Sequence, residues 1–272
     1  MRRAKDPRIL VFDSGFGGLS VLSALVATLP YADYVYLADD ARFPYGDLRD
    51  EALIDGLEVL LAAACADIAP DLIVIACNTA STVALERLRA AFPIPIVGIV
   101  PGIKPAARAS HSGHFAVLAT PGTIRRSLTR DLVRDHAQGC EVDLIACHRL
   151  AGLAERFVLE GFCDLDVLRA DIVALFEGPN SATIDVVVLG CTHYPLILPM
   201  LQKVVEHPVL WLDPAPAVAR RVMHLLQQEW QDCLAGERLG AAQITERIRF
   251  LATGDGQARL ERAWAALVER AA

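Results

Sequence analysis

An α/β fold is predicted, built as two similar lobes that each hold a mostly parallel sheet flanked by helices, with a site between them. Three observations predict it. Strand-like and helix-like patterns alternate almost from one end of the 272-residue chain to the other. Two stretches echo each other, Asp71-Leu72-Ile73-Val74-Ile75-Ala76-Cys77-Asn78-Thr79 and Asp185-Val186-Val187-Val188-Leu189-Gly190-Cys191-Thr192-His193; each is an aliphatic run that reads as a strand buried on both faces, closed by a cysteine. Finally, open parallel sheets bind ligands just beyond the carboxyl ends of their strands, so a cysteine closing a buried strand faces the ligand crevice.

The elements follow in order. Residues 9–12 read as the first strand, and apolar residues at 19, 22, 25, 26 and 29 place a helix over 18–29. Residues 34–37 make a second strand, 48–66 a long helix and 72–76 a third strand. An amphipathic helix then runs across Val83, Leu85, Leu88 and Phe92, and 94–99 leads to a break at Pro101-Gly102. The second series has strand 115–118, helix 124–135, strand 142–146, helices over 150–176, strand 186–189 and helix 196–206. Residues 209–212 and 250–252 read as further strands, with helices between and after them. The chain is thus expected to cross between lobes near 98 and again near 207. Residues 1–97 and 208–272 form a first lobe carrying Asp13 and Cys77, and 98–207 a second carrying Cys191 and His193, each of flavodoxin-like type.

Composition narrows the class. A net charge of −7, with no basic stripe, argues against a nucleic-acid partner, whose phosphates would need Lys and Arg to neutralise them. Mean hydropathy is +0.36, yet charges such as Glu58 and Asp67 interrupt the most apolar windows before they reach the length of a membrane span. The basic start, Met1 to Arg8, precedes an apolar run too short for a signal peptide, so a cytoplasmic protein is expected. Seven cysteines (65, 77, 140, 147, 163, 191 and 233) include no CxxC pair, which argues for reduced thiols and against a disulfide framework or zinc ribbon.

Asp13-Ser14-Gly15-Phe16-Gly17-Gly18 lies at a strand-to-helix turn, where glycines allow close backbone approach and a helix amino terminus offers N–H donors to an anion. A dinucleotide site is disfavoured, because Ser20 holds the third glycine position and Asp13 would repel a pyrophosphate. Cys77-Asn78-Thr79-Ala80-Ser81 opens a helix whose local potential favours a thiolate, and Asn78 and Thr79 add donors for a carboxylate. Gly190-Cys191-Thr192-His193-Tyr194-Pro195 repeats the device, with Pro195 suited to a first helical turn and His193 two residues from the thiol. Two matched thiols, one per lobe, suit a reaction that takes a proton from one face of a carbon and returns one to the other. Pro44-Tyr45-Gly46 is a turn able to present a phenol and backbone donors. Cys65, Cys140, Cys163 and Cys233 read as bystanders, and Cys147-His148 stays ambiguous.

This set of motifs, in this order and spacing and across nearly the whole chain, resembles the glutamate racemases of the aspartate/glutamate racemase superfamily. The resemblance implies a cofactor-independent isomerase that interconverts L- and D-glutamate and supplies D-glutamate for peptidoglycan. It implies that Cys77 takes the α-proton of D-glutamate and Cys191 that of L-glutamate, assisted by Asp13 and His193 respectively. Ser14, Tyr45, Gly46, Asn78, Thr79, Thr123 and Thr192 match positions that hold the substrate's amino and carboxylate groups, and Glu155 matches an acidic position near the pocket. It also implies glutamate as the partner molecule, with a cell-wall precursor as activator in some members, and a monomer or homodimer. Asp213-Pro214-Ala215 and Cys147-His148 depart from the common pattern.

No metal or cofactor is called for. The chain has three lysines, Lys5, Lys104 and Lys203, none in a pyridoxal phosphate motif. Three alternatives stay open: a racemase of aspartate or another small acidic substrate, which His193 disfavours; a zinc protein using Cys77, Cys191, His193 and Asp13 as ligands; and a non-catalytic amino-acid-binding module.

Overall fold

Strand β1 (Arg8–Asp13) is buried at every position from Ile9 to Asp13, as an unbroken aliphatic run requires of a central parallel strand. The structure is a computed structural model and describes residues 6–177, 180–227, 243 and 245–271. After β1 come α1 (Leu19–Thr28), β2 (Asp33–Ala38), α2 (Asp50–Ile68), β3 (Leu72–Ile75), α3 (Asn78–Ala91) and β4 (Ile96–Gly98). Helix α2 buries Leu53, Leu57 and Leu61, a four-residue spacing that keeps one face on the sheet, and packs beside α3.

The second series is α4 (Ile103–Ala109), β5 (His114–Ala119), α5 (Pro121–Arg125), α6 (Ser127–His136), β6 (Glu141–Ala146), α7 (Leu150–Glu160), α8 (Leu165–Asp171), α9 (Ala174–Glu177), β7 (Val186–Leu189), α10 (Leu198–Val204) and β8 (Leu210–Leu212). Helix α7 stops at Gly161, whose φ of +71° is the left-handed cap that glycine adopts without strain. Then follow α11 (Ala215–Leu226), β9 (Ile248–Ala252) and a terminal helix, Gln257–Ala271.

Two parallel sheets result. The first runs β4-β3-β1-β2-β9 and the second β6-β5-β7-β8. Both contain the same order: an initial strand with its successor on one side and the third, then fourth, strands on the other. This is the flavodoxin-like winding, and its reversal point lies between β1 and β3 in one sheet and between β5 and β7 in the other.

The chain divides into two compact units, Met1–Ile99 with Ala215–Ala272, and Val100–Pro214. The crossings therefore differ from the expected 97/98 and 207/208. Gly98 stays in the first unit because β4 pairs with β3. Leu210–Leu212 belongs to the second because its backbone pairs with β7 at Val186, Val187 and Val188. Helix α4 stands where only a break was expected. The single helix expected over 124–135 is two, divided at Arg126, whose extended backbone (φ −70°, ψ 143°) caps both. The helix expected over 196–206 begins as a 3-10 turn, Tyr194–Ile197, with Pro195 in its first turn. Cys233 and residues 1–5 lie outside the described residues. Among the described residues no helix is long and apolar enough to cross a membrane.

Asp185 ties the start of β7 to the turn before β5. It accepts hydrogen bonds from Ser110 Oγ at 2.6 Å, His111 N at 2.6 Å and Ser112 N at 2.8 Å. Desolvation alone would raise its pKa, but these donors outweigh it and hold the carboxyl at about 2. Because the folded value lies below the unfolded one, the resulting stability is present above about pH 4 and is lost as pH falls toward the folded value. Urea unfolding should therefore show Asp185→Asn less stable than the native chain at pH 7, with the difference shrinking at pH 3. An unchanged difference would remove Asp185 from the acid response.

Candidate active site

In the first unit the reversal point of the sheet lies between the ends of β1 and β3, and the candidate residues gather there. Asp13 ends β1 and is fully buried. Its Oδ2 accepts from Gly18 N at 2.8 Å, so the protein's own carboxylate caps the turn into α1, where a phosphate would otherwise approach. A glycine is required at 18: a Cβ there would stand 2.8 Å from both Asp13 Cβ and the Tyr36 hydroxyl.

Cys77 follows β3 in an extended conformation and is the N-cap of α3, its Sγ accepting from Ala80 N at 3.5 Å. The Ser14 hydroxyl lies 3.6 Å from the same sulfur. Asn78 and Thr79 are buried in the first turn of α3. Ser81 beside them donates to Ile75 O and accepts from Ile99 N, each at 3.1 Å, which fixes α3 to the ends of β3 and β4.

Tyr45 is brought to this end of the sheet by Asp39, which follows β2. The Tyr45 hydroxyl donates to Asp39 Oδ2, Arg42 Nε donates to the same oxygen at 2.6 Å, and Thr253 Oγ1 donates to Oδ1 at 2.7 Å. Burial first, then the neighbouring Asp39 carboxylate and Cys77, pushes the Tyr45 phenol far above its ordinary range, so it remains a hydrogen-bonding hydroxyl. At Gly46 an added Cβ would meet nothing within 4 Å, so crowding does not explain that glycine. Asp39 as the organiser of the turn was not legible in sequence beyond its place in an Asp-Asp pair.

In the second unit the reversal point lies between the ends of β5 and β7. Thr120 follows β5 and N-caps α5, accepting from Thr123 N at 3.3 Å, and Thr123 is buried in that turn. At the end of β7, Gly190 N donates to Leu118 O at 2.7 Å; a Cβ on Gly190 would lie 2.8 Å from that oxygen. This close approach leaves Cys191 at the strand end. Cys191 Sγ lies 3.7 Å from His193 Nδ1, and His193 Nε2 lies 3.1 Å from Glu155 Oε1 on α7. Cys191, Thr192 and His193 are all buried.

Burial alone would lower the His193 pKa, but hydrogen bonding to Cys191 and Glu155 outweighs it and holds the value well above the usual histidine range. The second thiol thus has a charged imidazole on one side and a carboxylate behind that imidazole. Helix α7 is anchored by Asp171, which accepts from His148 N, Arg149 N and Leu150 N at 3.0, 2.9 and 2.9 Å. Cys147 belongs to the buried core that also holds Cys191 and Tyr194, and burial followed by Asp171 pushes its thiol strongly up. It is suited to packing rather than to proton transfer.

The arrangement makes Glu155 a positioning residue for His193. Glu155→Gln removes the carboxylate that favours the imidazolium, so the basic limb of the pH profile should move to lower pH. A hydrogen bond to a charged group is worth about 1.5–3 kcal/mol, so kcat near neutrality should fall roughly tenfold or more. Steady-state profiles of the native chain and Glu155→Gln check this; a lower kcat with an unmoved limb would make Glu155 merely structural.

Each unit therefore presents a buried thiol at the topological reversal of a flavodoxin-like sheet, hydrogen-bonded to a helix amino terminus in one case and to an imidazole in the other. This is the equipment of a proton-transfer enzyme acting through cysteine. Residues 19–222 match the family described as Asp/Glu/Hydantoin racemase, and the chain belongs to that family. It is 47% identical over 222 residues to the glutamate racemase of Mesorhizobium japonicum, covering 81% of this chain and 85% of that one. The glutamate racemase of Brucella suis is 46% identical over 230 residues, covering 84% and 83%. Among solved structures, Escherichia coli glutamate racemase in complex with L-glutamate and the activator UDP-MurNAc-Ala is similar with a TM-score of 0.80 at 33% identity, over 91% of this chain and 99% of that one.

Proposed function

We propose that this protein is a glutamate racemase that interconverts L- and D-glutamate through two cysteine acid/base groups. The observation that carries the reading is the correspondence of the two sheets: equivalent strands in equivalent windings are followed by Cys77 and Cys191, each buried and within hydrogen-bonding distance of a donor or an imidazole. In the forward direction Cys191 as thiolate removes the α-proton of L-glutamate while Cys77 as thiol delivers a proton to the other face, and the reverse reaction exchanges the roles. After one turnover one thiol has gained a proton and the other has lost one. His193 next to Cys191, and Asp13 at the end of β1 beside the strand that leads to Cys77, are assigned as the groups through which the protons return to their starting positions.

An α-proton is very weakly acidic, so charge developing on the substrate carboxylate needs fixed donors. Ser14, Tyr45, Gly46, Asn78 and Thr79 in one unit, with Thr123 and Thr192 in the other, are assigned to the amino and carboxylate groups. No cofactor is assigned. The product would supply peptidoglycan synthesis in the cytoplasm, and a cell-wall precursor of the kind bound by the E. coli enzyme is a candidate activator.

Proton NMR of L- and D-glutamate in heavy water, without metal or pyridoxal phosphate and with UDP-MurNAc-Ala present or absent, tests the reading. Deuterium entry at the α-carbon with inversion supports it. Exchange of aspartate but not glutamate would favour the other acidic substrate, and binding without exchange would favour a non-catalytic module.

A further inference from the structure

One buried titratable side chain takes no part in this chemistry. His114 opens β5 at the amino end of the second sheet and is 3% exposed. In the parallel pairing of β5 with β6 it lies beside Glu141. Side chains alternate along a strand, so Asp143, two residues further on, projects from the same face as Glu141. The ligating atoms of His114, Glu141 and Asp143 lie within 4.8 Å of one another, a grouping of His, Cys or carboxylate side chains that occurs nowhere else among the described residues.

The hydrogen bonds fix how the imidazole faces this cluster. Thr183 Oγ1 donates its one proton to Asn180 O at 2.7 Å, so it accepts from His114 Nδ1–H at 2.8 Å. In the neutral ring the other nitrogen, Nε2, then carries a lone pair, and it faces Asp143 Oδ2 at 3.2 Å. Nε2 and Asp143 Oδ2 are thus placed so that a proton or a metal ion can bridge them. The neighbouring Glu141 carboxylate, held by Asn180 Nδ2 at 3.3 Å from each of its oxygens, adds a third ligand atom, which a metal ion can use and a single bridging proton cannot. Ligand atoms about 2.0–2.1 Å from a tetrahedral zinc ion stand about 3.3 Å apart, close to the 3.2 Å between His114 Nε2 and Asp143 Oδ2, while the Glu141 oxygen lies within 4.8 Å of both.

We propose that His114, Asp143 and Glu141 form a binding site for a divalent transition-metal cation, zinc(II) being the best match, through Nε2 and one oxygen of each carboxylate, with water completing the set. Thr183 and Asn180 orient the ring and the Glu141 carboxylate, as outer partners do in metal sites. Magnesium is a poor match, since it demands six near-ideal oxygen ligands. The site lies at the amino ends of β5 and β6, whereas Cys191 follows the carboxyl end of β7 in the same sheet. Its effect is to clamp β5, β6 and the 180–183 turn together, outside proton transfer.

Calorimetric titration of the full-length, chelator-treated protein with zinc(II) tests this, with magnesium as control. Cys77 and Cys191 also offer zinc donors, so the decisive quantity is the difference between variants. The native chain should take up one equivalent more than His114→Gln, and Asp143→Asn should weaken that equivalent on the order of 100-fold. Cobalt(II) bound in that equivalent should lack the intense thiolate charge-transfer band, and His114→Gln should racemise glutamate at the native rate. Equal zinc stoichiometry in the native and His114→Gln proteins would overturn the site. So would nitrogen NMR showing both His114 ring nitrogens protonated in the presence of saturating zinc.

Discussion

Cys77→Ser and Cys191→Ser should each abolish inversion of glutamate, lowering it by on the order of 10³-fold, within the range set by loss of a general acid or base. A serine hydroxyl is far too weak an acid to exist as its anion near neutrality, so the half of the two-sided proton transfer served by the replaced thiol is lost. What remains is diagnostic. In Cys77→Ser the surviving thiol can still take the α-proton of L-glutamate, trade it with heavy water and return a deuteron to the same face. Deuterium should therefore enter L-glutamate without inversion. Cys191→Ser should do the same to D-glutamate. Both sites are buried and the replacement is nearly isosteric, so circular dichroism should show unchanged folding. If either variant inverts glutamate at the native rate, the two-thiol scheme fails; if the enantiomers are swapped, the assignment of faces is reversed.

Asp39→Ala should be the most destabilising of the single substitutions considered, by about 3 kcal/mol. Asp39 is 1% exposed and receives the Tyr45 hydroxyl, the Arg42 guanidinium and the Thr253 hydroxyl, while its own N–H donates to Asp13 O at 2.9 Å. It therefore joins the ends of β1, β2 and β9 to the turn carrying Tyr45. Removing the carboxylate leaves the buried Tyr45 hydroxyl without its acceptor, and a stranded buried donor costs about 1–3 kcal/mol by itself. Asp39→Asn keeps an acceptor oxygen and should lose less. Because Tyr45 is assigned to substrate, KM should also rise in both variants. Urea unfolding with parallel kinetics checks this; a loss below about 1 kcal/mol would mean that water replaces the carboxylate readily.

What the sequence disclosed and what it hid divide by the range of the interactions. The strands ending at Cys77 and Cys191 were legible because four consecutive aliphatic residues buried on both faces leave a local signature, as Leu72–Ile75 and Val186–Leu189 show. Helix α4 escaped notice because Lys104 and Pro105 interrupt its apolar pattern; the proline lies in the first turn, where its missing N–H has no intrahelical partner to lose. The sheet to which 210–212 belongs was hidden because a three-residue strand carries no label for its neighbour, and only the ladder to β7 decides it. Asp39 and Asp171 were invisible as organisers for the same reason: their partners lie as far as 214 and 23 residues away. Glu155 was reached through family resemblance alone, since its bond to His193 spans 38 residues.

The two thiols rest on different supports. A backbone N–H, which keeps its proton at any physiological pH, serves Cys77, whereas an imidazole, which can lose its proton, serves Cys191. For a racemase this asymmetry meets a symmetry of the substrate. Mirror-image glutamates have equal free energies in water, so their equilibrium ratio is unity whatever the pH, and the Haldane relation then makes kcat/KM the same for both enantiomers. Unequal thiols cannot bias the direction of the reaction. Their difference is confined to how each direction divides between turnover and saturation: where kcat for one enantiomer falls with pH relative to the other, its KM must fall by the same factor.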